Sequence, residues 1–135
     1  IPIMPITHRW LIKDRALLLE FKGNIAMEDI REINARVKEV LETTENSVYI
    51  IHDMLGIEKI PMNWTEMSRA TKQLRNPKIA HVVNIRAESN VFITTLMSLF
   101  QRIFKLPSQS VTSMEDAVAF LIQLDPSLTE LEQTT

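Results

Sequence analysis

Apolar residues recur along this chain with two different periods, and the alternation between the periods lays out its architecture. Ile6–Ile12 and Ala16–Phe21 are rich in strand formers and flank Lys13-Asp14-Arg15, a polar interruption of hairpin length. The first reads as an edge strand with Thr7 and Arg9 facing water, the second as a more interior one that Gly23-Asn24 breaks. Met27, Ile30, Ile33, Val37, Val40 and Leu41 then fall at helical spacing, with Glu28, Asp29, Arg31, Glu32, Arg36, Lys38 and Glu39 on the remaining face, which predicts a first helix. Asn24 offers the nearest capping oxygen at its start. Val48-Tyr49-Ile50-Ile51 is apolar without alternation, as a strand covered on both faces would be, and His52 and Asp53 follow where that strand should end.

The next helix should begin near Asn63 or Trp64 and stop near Arg75, because Asn76-Pro77 disfavours continuation; Trp64, Met67, Thr71 and Leu74 form its inward stripe. Ile79–Ile85 is another densely apolar strand, with Arg86 leaving its end. Over residues 90–106 the apolar positions, among them Phe92, Ile93, Met97, Phe100 and Phe104, cover about half of a helical circumference, wider than one sheet face requires. Gln109–Thr112 reads as a short edge strand. Ser113 with Asp116 resembles a capping box opening a last helix, which Pro126 stops. The order predicts an α/β fold: a single mixed sheet of about five strands, an antiparallel N-terminal hairpin followed by parallel crossovers, and about four helices. One domain spans residues 1–125. Residues 126–135 read as a flexible polar tail with too few apolar side chains to offset the entropy of ordering.

Composition narrows the functional classes. A chain of 135 residues with 45% hydrophobic content suits one domain with a real core. The 15 basic and 17 acidic residues are interspersed, leaving no basic stripe for nucleic acid. With no cysteine there is no disulfide framework or thiol chemistry, and no apolar run approaches the roughly 18 residues of a membrane span. The expectation is a soluble, cytoplasmic protein, with Met4 a candidate for its natural start.

Two stretches carry a family resemblance. His52-Asp53-Met54-Leu55-Gly56-Ile57 is similar to a strand-end pattern of aspartate, two residues and glycine, and Met114-Glu115-Asp116-Ala117-Val118-Ala119-Phe120-Leu121 to an acidic, alanine-containing, aromatic-leucine helix. Together with the element order over Ile6–Leu124, they resemble the STAS group: bacterial anti-sigma-factor antagonists, sulphate-transporter tail domains and small STAS-like proteins described as lipid-binding or of unknown function. The resemblance implies a binding or signalling module with no catalytic residues to transfer. The antagonists switch partners by phosphorylating a serine or threonine at the start of the second helix; Met62 and Asn63 stand there in this chain, so that switch is expected to be absent, with Thr65 the nearest hydroxyl.

The candidate ligand-binding rim comprises Asp53, Asn63, Trp64, Asn84 and Arg86, all expected near the carboxyl ends of strands or in the loops after them. Each has a plainer reading. Asp53 would accept backbone N–H bonds, and Arg86 would pair with Glu88 or Glu58. His52 and Asp53 are adjacent on one strand and point to opposite faces, which ranks a hydrolase using Asp53 last. His8, His52 and His81 lie on different strands and give no expectation of a metal site; no cofactor is expected either. The second candidate is apolar. Ile93, Met97, Phe100 and Phe104 would either fill the core, line a groove for a small apolar, lipid-like ligand, or form the interface of a structural homodimer. The leading expectation is therefore a non-enzymatic binding module that engages a protein partner or a small apolar ligand.

Overall fold

The computed structural model describes residues 4–61 and 63–134, with the backbone alone for Trp64, Thr71, Leu74, Phe100, Phe104 and Thr134. Its elements are β1 (Ile6–Ile12), β2 (Ala16–Asn24), α1 (Met27–Thr43), β3 (Val48–Lys59), α2 (Trp64–Lys72) with a 3-10 turn at Gln73–Arg75, β4 (Ile79–Ile85), α3 (Val91–Phe104), β5 (Ser108–Val111), α4 (Met114–Leu124) and a 3-10 segment, Pro126–Thr134. The sheet order is β1-β2-β3-β4-β5, with β1 antiparallel to β2 and every other neighbour parallel. This is the mixed sheet expected from the hydrophobic pattern.

The topology decides which face each helix covers. Every parallel crossover steps one strand onward in the same direction, and right-handed connections therefore place α1, α2 and α3 on one face. There Leu17, Leu19, Phe21, Val48, Ile50, Met54 and Val82 pack with Ile33, Val37 and Leu41 of α1 and Ile93 of α3. The side chains of alternate parity, Ala16, Leu18, Ile51, Val83 and Ile85, emerge on the other face and meet Ala117, Val118 and Leu121 of α4. One helix is too narrow for a five-stranded sheet. The remainder is covered by the C-terminal segment: Leu128 and Leu131 are fully buried, so residues 126–134 are not the loose tail expected from their polarity. Asp125 secures the start of that segment, accepting hydrogen bonds from Arg15 (3.1 Å), Tyr49 (2.9 Å) and Ser127 (2.6 Å). These bonds, the one from Ser127 foremost, hold the Asp125 carboxyl below its ordinary pKa, while burial and then the Asp125 bond push the Tyr49 hydroxyl up.

Strand β3 also departs from expectation. It does not end at Asp53 but continues to Lys59, because β2 runs on to Asn24 beside it through two register shifts, pairing Lys22 with Gly56 and Asn24 with Lys59. Gly56 permits this close approach, since a Cβ there would lie 3.1 Å from the Phe21 carbonyl oxygen. The Asp-x-x-Gly stretch is thus irregular strand, not the strand end its pattern suggested.

The helix ends find capping groups in part from elsewhere in the chain. At α1 the Asp29 carboxylate accepts from the Ala26 N–H (2.8 Å), in place of the Asn24 cap expected. Its last turn has no basic residue, and Lys78 supplies one from the approach to β4, donating to the carbonyls of Leu41 (2.7 Å) and Thr44 (2.8 Å). Ser113 caps α4 by accepting from the Asp116 N–H (3.0 Å), as its spacing predicts.

Candidate functional site

Between the sheet and its three crossover helices lies a cavity of about 110 Å³. Period-two alternation brings Leu19 and Phe21 of β2, His52 and Met54 of β3 and Val82 and Asn84 of β4 to its floor. Ile30 and Ile33 of α1, Met67 and Ala70 of α2, and Ile93, Leu96 and Met97 of α3 form its roof. Among the described residues its polar side chains are Asn34, His52, Asn84 and Ser108, and none of them is charged at neutral pH.

His52 and Asn84 meet because β3 and β4 are paired in parallel with these two residues in register. His52 Nδ1 is 3.0 Å from Asn84 Oδ1. An amide oxygen can only accept, so with the amide so placed Nδ1 carries the hydrogen and Nε2 is left as a lone-pair acceptor. The ring also stands edge-on to Phe21, with centroids 5.6 Å apart. His52 retains accessible surface because it faces the cavity, yet protein surrounds it. That burial pushes its pKa from 6.5 down to about 4, against the opposing influence of the Asn84 bond, so the imidazole is neutral at pH 7.

The expected rim does not assemble. Of its described side chains only Asn84 lines the cavity. Asn63 is an N-cap, its Oδ1 accepting from the Glu66 N–H (3.0 Å). Asp53 pairs in register with Ile85 on the α4 side of the sheet, and its Oδ1 accepts from the Leu55 N–H (3.1 Å), a local turn-type bond. Because His52 faces the helices and Asp53 faces away, they form no acid–base pair. Arg86 has no ion pair with Glu88 or Glu58 among the described residues, and its Nε is buried without a hydrogen-bond partner. The Trp64 side chain lies outside the described residues, as does Met62 altogether.

The apolar candidates divide. Ile93 and Met97 line the cavity; the Phe100 and Phe104 side chains lie outside the described residues. His52, left off the rim, and Ser108 were missed as cavity residues. The signal for His52 was present in its strand parity with Ile50 and Met54; the register that sets it beside Asn84 was not. His81 lies on the α4 side, 5.3 Å from Phe120 between ring centroids, separated from His52 by the sheet. No group of three or more histidine, cysteine or acidic side chains that could hold a metal ion occurs among the described residues.

No helix among the described residues is long and apolar enough to cross a membrane. Neither family models nor curated protein sequences match the chain. Among solved structures, it is similar to an uncharacterized protein of the DUF3478 family with a SpoIIAA-like fold from Shewanella loihica PV-4, with a TM-score of 0.63 and 11% identity over 86% of this chain and 91% of that one. At that identity the likeness concerns architecture alone, and it gives this chain a SpoIIAA-like, that is STAS-like, α/β fold.

Proposed function

We propose that the protein is a non-enzymatic binding module that holds a small apolar ligand between its sheet and α1–α3. The observation that carries this reading is the cavity itself: an apolar space roofed by helices, with a few convergent polar groups on the sheet. Leu, Ile, Met and Phe side chains lining such a cavity offer dispersion contacts to an apolar guest of matching size. The separation of His52 from Asp53 by the sheet supports binding over acid–base catalysis.

Titration with toluene tests this. The melting temperature of the wild-type protein should rise with toluene concentration, and methyl resonances of Ile30, Ile33, Ile93 and Met97 should shift. Ala70→Leu, which fills part of the cavity from α2, should remove both responses. A folded wild-type protein that shows neither at millimolar toluene overturns the reading.

A second reading, a homodimer, is favoured by one observation. Phe92, Leu99 and Ile103 are 47%, 37% and 50% exposed, an apolar flank of α3 outside the cavity lining. It differs from the interface first expected, because Ile93 and Met97 are turned inward.

A further inference from the structure

If the cavity is a ligand site, its chemistry restricts the ligand further than the word apolar does. We propose that it is built for a small, uncharged molecule with an apolar body and a single hydroxyl, which donates to His52 Nε2.

Charge decides the first part. Among the described residues no lysine, arginine, aspartate or glutamate lines the cavity. An ionised head buried there would have no counter-charge, at a cost far above that of a neutral hydroxyl. The imidazole does not supply one, since it is neutral at pH 7. A fatty carboxylate is therefore disfavoured, although it is the obvious lipid-like guest for an apolar pocket.

Size decides the second part. The space is about 110 Å³, somewhat less than the ~150 Å³ of an engineered apolar cavity that accepts benzene. A single ring or short chain fills the space, and a long acyl chain would have to protrude from it or displace a helix.

The polar geometry decides the third. With the Asn84 amide placed so that Oδ1 lies 3.0 Å from His52 Nδ1, Nδ1 donates and Nε2 is left as the acceptor. The complementary head is a donor. Ser108 lines the same cavity from β5, in register with Val82, two strands away from His52, and leaves Nε2 as the acceptor at the imidazole end.

Phenol, toluene and hexanoate at pH 7 serve as probes, with binding followed by NMR on the full chain. Phenol and toluene should bind and hexanoate should not. In His52→Leu the ratio of phenol to toluene affinity should fall about fivefold, the worth of one net hydrogen bond. Should that variant fail to fold, nitrogen-labelled histidine in the wild-type protein gives the same information. Phenol should move the His52 Nε2 resonance upfield, as hydrogen bonding to an unprotonated ring nitrogen does, and toluene should leave it in place. An unchanged affinity ratio, an unmoved Nε2 resonance with phenol bound, or hexanoate binding as tightly as phenol overturns the inference while leaving the apolar site standing. Absence of binding by toluene and phenol alike overturns both.

Discussion

His52 shows how much a single residue's meaning depends on its neighbours. In the sequence it is a histidine beside an aspartate, and strand parity already separates the two. What the sequence does not reveal is that Asn84, distant in the chain, will stand opposite its Nδ1, because that depends on the β3–β4 register. Asn63 illustrates the reverse ambiguity: an asparagine before a helix reads equally as a ligand contact or an N-cap, and its bond to the Glu66 N–H makes it the cap. The burial of His52 has a consequence for stability. Its folded pKa of about 4 lies below the unfolded value of 6.5, so in that interval the unfolded chain binds a proton that the folded one refuses. Stability should be unaffected by this group above pH 6.5 and should fall as pH drops from 6.5 to about 4, with a total loss on the order of 3 kcal/mol. His81, lowered by burial on the other face, acts in the same direction. Urea denaturation at several pH values should show a steeper acid loss for the wild-type protein than for His52→Gln. Parallel curves would mean that the imidazole is better solvated than its surroundings indicate.

At the scale of elements, the helices were legible because a period of 3.6 is a local property, whereas the ends of strands were not. The extension of β3 to Lys59 is set by a partner strand and its bulges, and no feature of Met54–Lys59 alone announces it. The α3 helix is the intermediate case. Its wide apolar stripe was visible, but the stripe serves two surfaces: Ile93 and Met97 face the cavity while Phe92, Leu99 and Ile103 lie within about 40° of one another on the solvent side at 100° per residue. A second copy docking on that flank would give a concentration-dependent doubling of the 15.6 kDa mass in light scattering, abolished by Leu99→Glu with Ile103→Glu while the fold persists. Monomer mass at tens of micromolar overturns the dimer reading and leaves the internal cavity untouched, since neither substituted residue lines it.

For the molecule as a whole, handedness accounts for the largest misreading of the sequence. Judged by composition, Pro126–Thr134 is a polar end that should fray. Judged by topology, it has a place to go. Crossovers stepping in one direction place α1–α3 on a single face, and α4 alone must then cover Ala16, Leu18, Ile51, Val83 and Ile85 on the other. Two leucines complete that layer: the chain kinks at Leu128, and Leu128 and Leu131 both join the core cluster on that face of the sheet. Leu128 and Leu131 are both without accessible surface, as core side chains of an integral element would be. Leu131→Ala should therefore cost about 3 kcal/mol in urea denaturation, the ordinary result of truncating a buried leucine. The exposed Leu124→Ala, its chemical match on the last turn of α4, should cost less than about 1 kcal/mol. If both substitutions were equally mild, residues 126–134 would be a frayed end after all, and the second face of the sheet would be left to α4.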